Sequence, residues 1–224
     1  MHCLKSFALA ALLTESVLSA APLFHADFQP GQWHETDFLA VKSARWPNIG
    51  KFEQAKDHLV NACPKDASPE EMLGKRAPET YAAMLYRTPL TGRHTIRATV
   101  SFDYRMAPAI VIADKPDYAG AVLYPELRNH YEIVFYDGGL NIWRHWFVNG
   151  KQIWKKAGFL NVPFERGKHC TVTLDIRPTA RGTMLTVSAG GHSFGIIDSD
   201  VPKTYYAGII ASEGVNRFYD FTIE

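Results

Sequence analysis

The sequence predicts an all-β chain folded as a two-sheet antiparallel β-sandwich, and three observations carry that reading. Beyond Pro78 the residues fall into about a dozen short stretches rich in β-branched and aromatic side chains. Turn chemistry separates them, at Thr91-Gly92, Lys115-Pro116-Asp117, Arg166-Gly167, Ala180-Arg181-Gly182, Gly190-Gly191 and Glu213-Gly214. Helical periodicity is scarce, and neither an internal repeat nor a linker interrupts the run. Many short strands at close spacing make a sandwich or a barrel.

Taken in order, the chain begins MHCLKSFALAALLTESVLSAAP. Lys5, an apolar run and the small residues Ser19-Ala20-Ala21 predict a secretory signal peptide over 1–21, leaving one domain over 22–224. No later stretch reaches the ~18 apolar residues of a transmembrane helix, so a secreted monomer without a membrane anchor is expected. Cys63 and Cys170 then form an even pair in an oxidising compartment, which suits one disulfide, with two buried free thiols as the alternative. Leu23–Phe28 predicts a first strand and Trp33–Val41 an irregular second. From about 42 to 78 the pattern loses its period. Phe52–Val60 and Ser68–Leu73 predict short helices there, the second with Ser68 as cap and Glu71 at the third position. This partly helical excursion is expected to frame one end of a cleft.

The later strands are expected near Tyr81–Arg87, His94–Tyr104, Ala109–Ala113, Gly120–Tyr124, Tyr131–Tyr136, Asn141–Val148, Lys151–Lys155, His169–Arg177, Met184–Ala189, His192–Asp198, Tyr205–Ala211 and Arg217–Ile223. Arg128–Lys156 is the most informative part. Asp137-Gly138 and Asn149-Gly150 both predict two-residue type I′ turns, and such turns fix register. Ile133, Phe135, Leu140 and Ile142 then share a core face. The opposite face collects His130, Glu132, Val134, Asn141, Trp143, His145, Phe147, Gln152, Trp154 and Lys156. That set makes poor core and a good cleft. Tyr131 and Arg144 fall on the core side, near its end.

A formal charge of +1 offers no basic field, which sets nucleic acid aside as a partner. The paired-strand candidates Asp27-Phe28 and Phe218-Tyr219-Asp220-Phe221-Thr222-Ile223 resemble the terminal strands of concanavalin A-like jelly rolls. The Tyr131-Glu132-Ile133 strand and the Phe147-Val148-Asn149-Gly150-Lys151 turn resemble the middle hairpins of laminin-G-like domains in secreted glycan-active proteins. The resemblance covers most of Tyr81–Glu224. It implies a jelly roll whose concave sheet holds a carbohydrate, and it names no reaction. The Glu-x-Asp-x-x-Glu strand of laminarinase-type glycosidases is missing, as are the Gln-Ile-His and Tyr-Phe-Lys patterns of the common alginate-lyase jelly roll.

The polar face suits a sugar because indoles cover the apolar faces of pyranose rings while amides, imidazoles and carboxylates satisfy the hydroxyls. Trp143 and Trp154 are the platforms. Arg128, Asn141, Lys156, Asn216 and Arg217 are the polar substrate contacts, the last two on a turn with Glu213. His130, Glu132 and His145 are the catalytic candidates. A hydrolase needs a second carboxylate, from Glu126 or Glu213. A lyase needs a base and a group that neutralises a uronate carboxylate, and this inventory is the fuller one. The reading is therefore a polysaccharide-degrading enzyme, a lyase on a uronate-containing glycan before a hydrolase, with a non-catalytic lectin-like module as the alternative. No cofactor is required. Asp27 and Asp220 offer hard oxygen ligands for a structural calcium, as these sandwiches often carry one there.

Overall fold

The computed structural model describes residues 21–46, 49–117 and 124–224. The expected signal segment, and most of the strand expected at Gly120–Tyr124, lie outside those residues. Two eight-stranded sheets face each other. The first runs His192–Asp198, Gly182–Ala189, Cys170–Thr179, His94–Phe102, Asn216–Ile223, Leu59–Asn61, Phe52–Gln54, and Phe24–Asp27 also pairs with Asn216–Ile223. The second runs Lys151–Asn161, Gly139–Val148, His130–Tyr136, Met106–Ala113, Thr204–Ala211, Ala82–Tyr86, Phe38–Ala40, with Leu90–Thr91 beside Thr204–Ala211. All pairings within these two sheets are antiparallel. The architecture is the concanavalin A-like jelly roll anticipated above.

Period-2 alternation explains the core. Ile96, Ala98, Val100 and Phe102 point inward from the first sheet, while Ile133, Phe135, Leu140 and Ile142 point inward from the second. Phe28, Phe38 and Phe221 close one end of the sandwich, with Trp33 edge-on to Phe28 at 5.5 Å. A smaller apolar cluster sits on the outer face of the second sheet. There Tyr81, Ala83, Leu85, Val111, Ala113 and Ile210 lie under Val41, Leu127 and Trp46.

Both hairpin registers form as the sequence implies. His130 is opposite His145, and Glu132 opposite Trp143, across the Asp137-Gly138 turn. His145 is opposite Trp154, and Phe147 opposite Gln152, across Asn149-Gly150. The second turn has the expected left-handed pair, φ 50° at Asn149 and 76° at Gly150. The first does not. Neither Asp137 nor Gly138 has positive φ; the left-handed residue is Gly139, at 145°. A Cβ at Gly139 would lie 1.9 Å from the Leu160 carbonyl oxygen, so close strand approach decides that position.

The excursion differs from expectation in its first half. Phe52–Val60 is a hairpin, with Phe52–Gln54 and Leu59–Asn61 paired and the Ala55 N–H donating to the His58 carbonyl at 2.8 Å. The strand Asn216–Ile223 offers unpaired backbone groups along this stretch, and Leu59–Val60 pairs with Phe218–Arg217 to satisfy them. A helix would leave those groups open. The helix at Pro69–Leu73 is present, with the capping box between Ser68 and Glu71 complete. Val41 and Trp46 lie over the outer face of the second sheet.

The disulfide does not form. Cys63 and Cys170 are free thiols. Cys63 is held beside the last turn, its thiol donating to the Gly214 carbonyl at 3.4 Å and accepting from the Asn61 amide at 3.4 Å. Cys170 opens a strand opposite Val100. Asn61 organises the surrounding loops, donating to the carbonyls of Thr80 at 2.6 Å and Gly214 at 2.9 Å and accepting from the Asn216 N–H at 2.8 Å. Among the described residues no helix is long and apolar enough to cross a membrane.

Two outcomes follow. Asn61→Ala leaves three buried backbone groups without their partner, and urea unfolding should show a loss of about 3 kcal/mol; a loss within the noise would remove this tie from the account. Burial pushes the Cys63 thiol up to about 11, so native alkylation near neutral pH should be slow there. In denaturant without reductant both Cys63 and Cys170 should be modified, and a surviving disulfide in the peptide map would contradict the structure.

Candidate functional site

Register and pleat place the site on the outer face of the second sheet, beside its small apolar cluster. His130 and His145 face each other across neighbouring strands, and their rings stack with centroids 4.4 Å apart at 10°. Glu132 lies two residues from His130 on the same face, so its carboxylate meets both imidazoles. The His130 Nε2–H donates to Oε1 at 3.2 Å, and His145 Nε2 lies 3.4 Å from Oε2. The two histidine side chains are 2% and 6% exposed, against 19% for Glu132. Glu132 is thus the member of the triad that an incoming molecule meets.

The electrostatics follow from that burial. Desolvation alone would raise the Glu132 carboxyl, but the adjoining His145 and His130 outweigh it and hold the group well below the usual carboxylate range. His130 is shifted down, chiefly because burial disfavours its charged form, and the bond to Glu132 offsets this only in part. Tyr81 approaches from the neighbouring cluster. Burial, reinforced by the charge of Glu132, pushes its hydroxyl well above the ordinary phenol range. Glu213, half-buried on a residue with φ 56°, is raised by burial; Arg45 opposes this and Glu132 adds to it.

One feature sets this face apart. The buried side-chain nitrogens and oxygens that have no hydrogen-bond partner among the described residues are Tyr81 Oη, His130 Nδ1, Asn141 Oδ1, His145 Nδ1 and both amide atoms of Gln152. All of them project from the outer face of this one sheet. Among the described residues, buried side-chain nitrogens and oxygens elsewhere find partners, as is usual.

Aromatic and cationic side chains surround the triad. Trp154 is 48% and Phe159 56% exposed on the edge strand. Lys156 Nζ lies 5.7 Å from the Trp143 ring and 4.9 Å from the Phe159 ring. The Arg45 guanidinium lies 4.1 Å from the Trp46 ring and 5.0 Å from that of Trp154. Beside His130 and His145 opens a groove of about 270 Å³ lined also by Asn129, Arg144, Phe147 and Asp200. It shares Asp114, Asn129 and Phe147 with a larger cleft of about 660 Å³ that reaches Arg128.

Of the residues singled out from sequence, His130, Glu132, Asn141, Trp143, His145, Trp154 and Lys156 come together here. Arg128 sits at the rim, bonded to Asp117 at 2.7 Å and 4.4 Å from the Phe147 ring centroid. Asn216 and Arg217 do not belong. They lie on the first sheet. Asn216 is fully buried, its side chain accepting from the Ser212 N–H at 3.0 Å. Arg217 is spent on Asp103, at 2.8 Å through its second nitrogen. Their turn closes the jelly roll, and the strand after it pairs away from the site sheet. Glu126 is bound to Lys42 at 2.7 Å, which takes it out of contention as a second acid. Tyr131 and Arg144 cap the sandwich as expected, the Tyr131 hydroxyl donating to Asp198 at 2.9 Å and Arg144 pairing with Asp200 at 2.6 Å.

Asp27 and Asp220 stand directly opposite each other across paired strands. Each carboxylate already accepts a backbone N–H, from Gln29 at 3.2 Å and from Thr99 at 3.1 Å. Sequence reasoning missed Arg45 and Tyr81. Arg45 follows no period, and only the adjacent Trp46 in an otherwise polar loop hinted at a contact surface. Tyr81 reads as ordinary strand.

No family model matches the sequence, and no curated protein sequence matches it. Solved structures match by fold. The carbohydrate-binding module CBM66 from Bacillus subtilis superposes with a TM-score of 0.55 at 10% identity, over 84% of this chain and 95% of that one. A Bacteroides ovatus mixed-linkage glucan GH16 structure in complex with product gives 0.57 at 13%, over 90% and 100%. The lectin UEA-II complexed with galactose gives 0.51 at 11%, over 89% and 96%. These likenesses establish the fold.

The carboxylate's depressed pKa sets a stability signature. An ionised Glu132 favoured by the fold contributes above the unfolded glutamate pKa of about 4.3, and the contribution is lost as pH falls below it. The difference in unfolding free energy between the wild type and Glu132→Gln should be flat above about pH 5 and shrink below about pH 4. A difference independent of pH would mean that Glu132 is not held ionised by its neighbours.

Proposed function

We propose that this is a secreted carbohydrate-active protein that binds a polysaccharide across the outer face of the Lys151–Asn161 sheet and cleaves it at Glu132. The observation that carries the reading is the gathering of buried, unpartnered polar atoms on that face around an ionised carboxylate. Hydroxyl-rich ligands supply both donors and acceptors to such atoms. Exposed Trp154 and Phe159 supply apolar ring faces next to them. The fold supports the reading too, since its neighbours include a carbohydrate-binding module and a galactose-bound lectin.

Among reactions, β-elimination at a uronate fits the inventory best. Glu132 is one carboxylate held between two imidazoles, and no second carboxylate among the described residues touches it. In an elimination a base takes the C5 proton, the electrons form the C4=C5 double bond, and the C4–O bond breaks, its oxygen leaving with a proton. The unpartnered Nδ1 of His145 is the acceptor, Glu132 beside its Nε2 stabilises the imidazolium that forms, and the same proton passes to the departing O4. Lys156 and Arg45 are the cations nearest the platforms, and neither forms a salt bridge with a described residue. They suit neutralisation of the uronate carboxylate. A second reading, hydrolysis, is favoured by one observation: Glu213 is raised while Glu132 is lowered, the split that an acid and its partner carboxylate require.

A panel of neutral and uronate-containing polysaccharides decides between them. Unsaturated uronate ends, detected by ultraviolet absorbance, are expected, with Glu132→Gln slower by about 100-fold or more. Trp154→Ala should weaken glycan binding while stability changes by no more than about 0.5 kcal/mol. New reducing ends without unsaturation would replace elimination by hydrolysis, with Glu213→Gln inactive. Retention on a glycan column without turnover would make the chain a lectin-like module, and no interaction with any member would overturn the proposal.

A further inference from the structure

We infer that His130, Glu132 and His145 also form a binding site for a first-row divalent transition-metal ion of the Zn²⁺ class. Their ligand atoms lie within 4.8 Å of one another. Bonds of roughly 2.0–2.1 Å in a tetrahedral shell place neighbouring ligand atoms about 3.3 Å apart. The imidazole–carboxylate separations, 3.2 Å from His130 to Oε1 and 3.4 Å from His145 to Oε2, are close to that value, one imidazole to each oxygen. Both Nε2 atoms lie on the Glu132 side of rings whose planes are only 10° apart, so their lone pairs run nearly parallel, and an ion takes the place of the protons that now face the carboxylate once one ring turns out of the stack. Each ring stays neutral with its remaining proton on Nδ1.

The surroundings supply what a bare cluster lacks. Two unpartnered polar side chains, Tyr81 at 2% exposure and Asn141 at 6%, are buried on the same face as the three ligands. Tyr81 is close enough to Glu132 to feel its charge. Two imidazoles and one carboxylate suit zinc and its neighbours in the series far better than calcium or magnesium, which take oxygen shells. Three protein ligands, with Glu132 partly exposed, leave a coordination position open to a small molecule, as catalytic zinc sites do and structural ones do not. The site uses the same triad as the cleavage reading but stands on its geometry alone.

The test contains no glycan, so its result is independent of cleavage. Protein stripped with chelator and dialysed is titrated with Zn²⁺ by calorimetry and with Co²⁺ by visible absorption. One ion per chain is expected, with intense d–d bands of a four- or five-coordinate Co²⁺ site carrying nitrogen ligands. His145→Gln and Glu132→Gln should each weaken Zn²⁺ binding by more than about tenfold, while Asp27→Asn leaves it unchanged. Thermal unfolding of the full chain with and without Zn²⁺ guards against misfolded variants, because a rise in Tm for the wild type must vanish in any folded triad variant. The inference is overturned if the wild type takes up no ion, if its Co²⁺ spectrum is that of a six-oxygen shell, or if folded triad variants bind as tightly as the wild type.

Discussion

Strand parity governs everything this molecule can do. Two connections of two residues each, at 137–138 and 149–150, hold three neighbouring strands in a register where every second side chain shares a face as far as Lys156, beyond which a bulge opposite Ile142–Trp143 shifts the alternation and pairs Phe159 with Asn141. A slip of one residue would send His130, Glu132 and His145 into the sandwich and expose Ile133, Phe135 and Ile142. The core opposes that slip strongly, since all three of those apolar residues are at most 1% exposed. Burial at about 25 cal/mol per Å² of apolar surface makes the inward set the energetic anchor. The polar face is positioned as its geometric consequence.

The same anchor permits an arrangement that would be unstable elsewhere. A carboxylate and two imidazoles are nearly removed from water on adjacent strands, and each is compensated by the others. Removing one member leaves its neighbours buried without a partner, so the triad behaves as a unit and not as three separate side chains. Stacking of the rings at 4.4 Å fixes the direction of both Nε2 atoms toward Glu132. The sheet supplies the rigidity that holds the three side chains as one unit.

Period-2 alternation and turn dipeptides made the strands and the site face legible in the sequence, because both are local signals that tertiary packing reinforced. Asn149-Gly150 behaved as its residues require. Asp137-Gly138 kept its loop length while adopting another conformation, since the adjoining strand's close approach at Gly139 constrains the backbone more than the dipeptide does. The misreadings are non-local. Phe52–Val60 has no strong helical or strand pattern, and an open sheet edge a long way off in sequence settled its structure. Asn216 and Arg217 look like ligand contacts because they are polar and close to a turn, yet the Ser212 N–H and Asp103 had already claimed their side chains. Arg45 reaches the site across a loop, and no spacing rule connects residue 45 with Trp154.

The distribution of unmet hydrogen bonds separates the face from the rest of the molecule. At the closing turn, Asn61 satisfies three backbone groups at once, and Asn216, Thr80 and Gly214 are joined in the same network. That region shows how completely this fold pairs polar atoms when only stability is at stake. On the outer face of the second sheet the pattern reverses at Tyr81, His130, Asn141, His145 and Gln152. Each buried atom without a partner costs about 1–3 kcal/mol, so several on one face are a substantial fraction of a domain's stability. Hydrophobic replacements would fit a β-sheet well and remove that cost. A sequence that keeps polar side chains there, next to an ionised carboxylate and exposed indole, gives up stability at the positions where a ligand would restore it.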